Sequence, residues 1–166
     1  GVHFCDVELL DKNGKSLGTH YKRNRSGELI EKVPSGLIYK ELVERYFISA
    51  PSMMMRSDVL EELHGYDEEL SYEDFDFWVR SSRYHKYAFS DEVLVQKRIL
   101  KSSLSSFQKR YKNPHALSTA KVCQKAAMLN KTEAELNALL KRIRYELKWA
   151  LITENWAAAN MLLELR

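Results

Sequence analysis

Apolar and polar positions alternate loosely at the start of the chain, with Val2, Phe4, Val7, Leu9 and Leu10 on the apolar side. That pattern, rich in β-formers, predicts a strand over residues 2–10. Asp11-Lys12-Asn13-Gly14-Lys15 is a turn signal, because Asn13-Gly14 accepts positive φ at little cost. The polar stretch that runs on to Glu31 reads as a loop or a weak hairpin arm. Apolar residues then return at helical spacing in Ile38, Leu42, Val43, Tyr46 and Phe47, with Pro34 and Gly36 as punctuation ahead of them.

Ser52-Met53-Met54-Met55 predicts a short buried strand. Ser57 or Asp58 is placed to cap a helix running through Leu63, with Glu61 completing a capping box and Gly65 as the stop. After a loop over 65–70, residues 72–80 open a further helix. Its acidic first turn, Glu73, Asp74 and Asp76, suits the positive end of the helix dipole. Phe75, Phe77 and Trp78 must bury their rings, which leaves Asp74 to face an open cleft. A strand region follows at Tyr87-Ala88-Phe89 and Val93-Leu94-Val95. From about Ser106 onward the pattern predicts helix alone. Thr132 with Glu135 forms a capping box, and Leu136, Leu139, Leu140, Ile143, Leu147 and Leu151 form one apolar stripe. A break at Thr153-Glu154-Asn155 precedes a last helix over 156–165, giving an antiparallel helical hairpin.

At 166 residues, 45% hydrophobic and 30% charged, the chain has ordinary globular composition. Its net charge of +3 gives no argument for nucleic acid. Cys5 and Cys123 are far apart and make no metal-ligand spacing, so they read as reduced thiols of a cytosolic protein. No apolar run approaches the ~18 residues of a membrane span, and no signal peptide is visible. Gly1 reads as a tag scar ahead of a strand already under way, which points to a fragment of a longer protein.

Three blocks, in order, carry a family likeness. The first is Phe4-Cys5-Asp6-Val7-Glu8-Leu9-Leu10 with its turn. The second is Ile48-Ser49-Ala50-Pro51-Ser52-Met53-Met54-Met55-Arg56 followed by Gly65-Tyr66-Asp67-Glu68. The third is Glu73-Asp74-Phe75-Asp76-Phe77-Trp78-Val79-Arg80. Together they resemble family 2 glycosyltransferases: the strand after the metal-binding region, the strand, helix and "GFDE" loop, and the "EDxDLWLR" segment that opens the acceptor-side helix. The resemblance covers roughly residues 2–100, and the remaining C-terminal residues carry no family signature.

The resemblance implies an α/β fold, the C-terminal portion of a GT-A (nucleotide-diphospho-sugar transferase) fold with a few strands and a mainly helical extension. Residues 1–105 would form the acceptor side and residues 106–166 the extension. It implies an inverting transferase that moves a sugar from a nucleotide-sugar to a glycan or lipid-linked acceptor, as in bacterial polysaccharide biosynthesis. Asp74 would be the general base, with Glu73, Asp76 and Asp67 in support. The donor site and its Mg²⁺ or Mn²⁺ would lie upstream of Gly1, so this chain alone would hold no metal and be inactive. Asp74-Phe75-Asp76 is literally a D-x-D, but residues i and i+2 of a helix face different ways and do not chelate one ion easily.

Leu100 falls where many relatives carry a metal-binding His in a "YRxH" element, and leucine ligates no cation. His3, His20, His64, His85 and His115 form no ligand pair at helical spacing and read as solvated. Residues 97–112 hold Lys97, Arg98, Lys101, Lys109, Arg110 and Lys112 without an acid, interleaved with Phe107 and Tyr111. The run is either a solvated face or a contact with anionic lipid or a lipid-linked diphosphate, which would make the protein cytoplasmic and peripheral at the inner membrane face. Trp149 and Trp156 read as packing anchors. The competing function is a non-catalytic interaction module whose helical hairpin docks a partner or a second copy.

Overall fold

The computed structural model describes residues 1–101, 103, 106, 109–113 and 115–166. It shows a mixed α/β fold in which a few strands are followed by a largely helical C-terminal region. The centre of the sheet is β1, Val2–Leu10. Two short strands, β2 (Ser16–Thr19) and β3 (Met53–Met55), pair antiparallel with opposite ends of its one edge. The other edge pairs in parallel with β4, Tyr87–Arg98, and the two strand segments around 87–89 and 93–95 are one element. The turn before β2 forms as its residues dictate: Asp11 Oδ1 accepts the N–H groups of Asn13 and Lys15, both at 2.8 Å, and Gly14 takes φ 86°.

Parallel pairing requires a long crossover, and here it carries three helices: α1 (Tyr39–Glu44), α2 (Ser57–Glu62) and α3 (Glu73–Ser82). Beyond the sheet, α4 (Ala116–Leu129), α5 (Glu133–Ile152) and α6 (Trp156–Glu164) pack on one another, with α4 also against α3 and α5 against α1. One apolar core runs through the whole: Phe4, Phe75, Phe77, Trp78 and Tyr87 from the sheet side join Leu139, Ile143 and Leu162 from the C-terminal helices. Each such buried side chain contributes roughly 1.5–3 kcal/mol. Polar ties fix the C-terminal helices and the end of α3 to α1. The Tyr39 hydroxyl meets Asn130 Oδ1 at 2.9 Å, the Arg83 guanidinium stacks 4.1 Å from the Tyr39 ring centroid, and Arg142 Nε donates to the Val43 carbonyl at 3.2 Å. Cys5 and Cys123 are both buried and free.

Several local expectations are corrected. The methionine strand forms, but at the sheet edge with Met54 73% exposed, because β3 has β1 on one side alone. The N-cap of α2 is Arg56, with no side-chain cap, since the Asp58 carboxylate is held by the Arg56 guanidinium; no capping box closes there. Among the described residues the first α-helix of the C-terminal region begins at Ala116; Ser106 is in a 3-10 turn of helix, while residues 109–112 lie in turns and a bend, so the region is not helix alone. The buried face of α5 is Glu135, Ala138, Leu139, Arg142, Ile143, Leu147 and Ala150, with Leu136 and Leu151 outside it. Trp149 is half-buried, but Trp156 is 58% exposed and anchors nothing. The histidines are not all solvated. His3 bonds Ser90 Oγ at 2.8 Å, His20 Nε2 bonds the Phe47 carbonyl at 2.9 Å, and His115 Nδ1 bonds Ser71 Oγ at 2.6 Å. The Thr132–Glu135 capping box is present in full. Phe107 of the basic run lies outside the described residues.

Candidate functional site

The first turn of α3 puts its carboxylates on different sides of the helix. Phe75, Phe77 and Trp78 are buried, at 1%, 0% and 2% exposure, and they clamp the helix to the sheet. With the helix so fixed, Asp74 lies on the wall of a cleft of about 240 Å³. Glu73, exposed, lines the same cleft, together with His20, Tyr46, Ser49 and Lys97. The Asp74 carboxylate is half-buried, and its Oδ1 accepts the Phe75 N–H at 2.7 Å. Burial pushes its pKa up; the Phe75 hydrogen bond opposes this, the neighbouring Glu73 charge adds to it, and Lys97 opposes it again.

Two hydroxyls on the cleft wall, Tyr46 OH and Ser49 Oγ, are buried and make no hydrogen bond among the described residues. Buried polar groups are normally satisfied, so a pair of orphans beside a carboxylate marks a place where a ligand or water supplies the missing partners. The Tyr46 ring is held edge-on to Phe75, 4.5 Å between centroids, which fixes where its hydroxyl sits.

Asp76 and Asp67 do not join this cleft. Asp76 is fully buried and takes Lys125 Nζ at 2.8 Å on one oxygen and Arg80 Nε at 2.7 Å on the other. The same Lys125 ammonium donates to Asp67 at 2.6 Å. Arg80 then spends its remaining donors on the carbonyls of Leu63 and Gly65, at 2.6 and 2.8 Å. This network ties α4, α3 and the 65–70 loop together. Asp67 is held below the usual carboxylate range by its hydrogen bond to Lys125. Burial works against the Lys125 charge, but its bonds to Asp67 and Asp76 outweigh that and raise its pKa. These two carboxylates are therefore ion-paired structural groups, while Asp74 has no cation in contact with it among the described residues.

The cleft residues that sequence reasoning did not single out are His20, Tyr46, Ser49 and Lys97. They come from three separate segments, Tyr46 and Ser49 sharing the stretch after α1, and no spacing rule links those segments. Among the described residues no group of three or more His, Cys, Asp or Glu side chains is placed to hold a metal ion, and no helix is long and apolar enough to cross a membrane. Comparison with protein families, with curated proteins and with solved structures returns no match.

Proposed function

We propose that this chain is the acceptor-side part of an inverting family 2 glycosyltransferase of the GT-A fold, with Asp74 as the general base. The observation that carries the reading is the Asp74 carboxylate itself. It sits at the start of α3 on the wall of an open cleft, partly desolvated, with no salt bridge among the described residues, and the same cleft is lined by two hydroxyls unpartnered among those residues. In the reaction, Asp74 takes the proton of an acceptor hydroxyl as that oxygen bonds to the anomeric carbon. The bond from that carbon to the nucleoside diphosphate breaks, and the leaving group departs with its electron pair. Catalysis by a positioned base needs such geometry first and a suitable pKa second.

The described residues offer no donor set that fits Mg²⁺ or Mn²⁺; on this reading the nucleotide-sugar and its cation are held by residues upstream. The direct test is Asp74→Asn in the full-length protein, assayed for transfer with donor binding measured alongside. Unchanged turnover on a working acceptor overturns the base assignment. Calorimetric titration of this chain with UDP-, GDP- and dTDP-sugars in Mg²⁺ or Mn²⁺ should show no micromolar binding, and such binding would overturn the division between the two halves.

A second reading has one observation in its favour. Ile152 and Trp156, each 58% exposed, flank the corner between α5 and α6, with Leu151 beside them at 45%. An interaction module that pairs two copies through this corner predicts concentration-dependent dimers in sedimentation. A strict monomer at high concentration removes it.

A further inference from the structure

We propose that the C-terminal helices are part of the substrate site: a small polar pocket between them and the Asp74 cleft binds a second sugar ring of the acceptor, next to the one that is glycosylated. The inference rests on the transferase reading above and names what the extension contributes to it.

The pocket, about 60 Å³, is bounded by Tyr46 and Tyr72 on one side and by α4, α5 and the α5–α6 corner on the other. Tyr46 and Tyr72 also line the Asp74 cleft, so the two cavities share a wall. At about 10–15 Å³ per water, it holds several waters and not merely one, a size that suits the edge of a ring bearing hydroxyls. Its wall alternates flat aromatic surface, Tyr145 and Trp149, with the polar groups of Glu146, Asn113 and Asn155, of which Asn113 also donates to the Tyr72 hydroxyl at 3.4 Å and Asn155 to Thr153 Oγ1 at 2.6 Å. Vicinal hydroxyls over C–H faces need that combination, whereas a phosphate needs unpaired cations. The cations near the pocket are engaged. Arg142 Nη1 bonds Glu146 at 3.0 Å, and Lys109 Nζ sits 4.6 Å over the Trp149 ring.

An independent observation points to a ligand. Among the described residues the Tyr46 hydroxyl has no partner although it is buried at this shared wall, and the neighbouring Arg142 Nη2, on a residue 3% exposed, has none either. Burial also raises the Glu146 pKa, against the opposing pull of Arg142, which makes its carboxyl a group able to accept or, when protonated, donate a hydrogen bond.

The test is an amide-resolved NMR titration of the 166-residue chain with methyl glycosides of glucose, galactose, N-acetylglucosamine and rhamnose, with inositol as a non-saccharide polyol. At least one glycoside at about 10 mM should shift the Asn113 and Asn155 side-chain amides and the Trp149 indole N–H, as a millimolar ligand would. Glu146→Gln and the pocket-filling Ala116→Leu should each weaken that binding about tenfold, and the spectra themselves report whether the variants fold. Three results overturn the proposal: no shifts from any glycoside, equal shifts from inositol, or a titration midpoint that is unchanged in Ala116→Leu. The titration needs neither donor nor turnover. Pocket shifts combined with an inert Asp74→Asn substitution would leave the pocket and remove the base assignment; absent shifts with a slow Asp74→Asn enzyme would do the reverse.

Discussion

Asp74 and Asp76, two positions apart on α3, have opposite fates: Asp76 is fully buried between Lys125 and Arg80, while Asp74 lines an open cleft with no cation bonded to it among the described residues. The helix imposes the division, since side chains at i and i+2 point to different sides, and the buried rings of Phe75, Phe77 and Trp78 fix which side is which. The acidic first turn thus separates into a structural charge and a chemically available one.

For Asp74 the first prediction concerns rate. Replacing a general base typically lowers turnover by ~10²–10⁴-fold, so Asp74→Asn in the full-length enzyme should lose activity on that order with donor affinity nearly unchanged. Glu73→Gln, at an exposed cleft position, should have a much smaller effect. Because burial raises the Asp74 pKa, the acid limb of the kcat/KM profile should lie above the ordinary aspartate range of about 4. Steady-state kinetics across pH check both, and the limb should be absent in Asp74→Asn.

A second prediction follows for stability. The folded state holds the Asp74 proton more tightly than the unfolded chain does, so this group favours folding at low pH and loses that contribution as pH rises through its raised folded value. At neutral pH the charged carboxylate is therefore a liability. Asp74→Asn, whose amide oxygen still accepts the Phe75 N–H, should melt higher than the parent at neutral pH. The difference should close below about pH 4. Thermal melts of the two chains across pH decide it, and a lower melting temperature for the variant at neutral pH would contradict the desolvation account.

The Lys125 bridge supplies the third. Lys125→Met leaves buried Asp76 with Arg80 alone and strips Asp67 of its cation, at a cost of about 1–3 kcal/mol for the hydrogen-bonding capacity left unmet. The Asp67 pKa is lowered, so its contribution is present above the unfolded value of about 4 and is lost as pH falls through the lower folded value. Urea unfolding should show the gap between parent and variant at neutral pH and a narrower gap in acid.

What could be seen in the sequence was local. The β1 strand, the Asp11–Gly14 turn and the Thr132–Glu135 box depend on neighbours within a few residues, and each forms as its pattern dictates. The errors arose where a partner that the local pattern does not specify decided the outcome. Three methionines signalled burial, but β3 has a single sheet neighbour and leaves Met54 in solvent. Asp58 signalled a cap, but Arg56 claims its carboxylate. Leu136 and Leu151 counted as core in the heptad-like stripe, yet the inward positions include Glu135 and Arg142, whose polar groups find Arg83 and the Val43 carbonyl on other elements. The candidate cleft was half visible. Glu73 and Asp74 stand out as a pair in the chain. Lys97 looked like one more member of a basic run, and nothing in the order of residues brings His20 to the same wall as Tyr46 and Ser49.

The last prediction turns on Glu135, which serves two structures at once. As the third helical residue of α5 it closes the capping box: its carboxylate accepts the Thr132 N–H at 3.2 Å and the Lys131 N–H at 2.7 Å, while Thr132 Oγ1 accepts the Glu135 N–H at 3.2 Å. Its other oxygen takes the Arg83 guanidinium at 2.8 Å and so ties α5 to the end of α3. Loss of the Thr132 cap alone should cost about 0.5–2 kcal/mol. Glu135→Ala removes the reciprocal cap and also leaves Arg83 without its partner, so it should cost more than Thr132→Ala. The two losses should also differ in their response to acid. The bond to Arg83 leads the effects that hold the Glu135 pKa below the usual range. Its contribution is therefore full above about pH 4 and lost as pH falls through the lowered folded value. The Thr132 hydroxyl does not titrate in that range, and its bond to the Glu135 N–H survives protonation. Denaturant melts at neutral and acid pH should show the Glu135→Ala penalty shrinking on acidification while much of the Thr132→Ala penalty persists. Equal penalties at neutral pH would mean that the Arg83 bridge adds nothing to the cap.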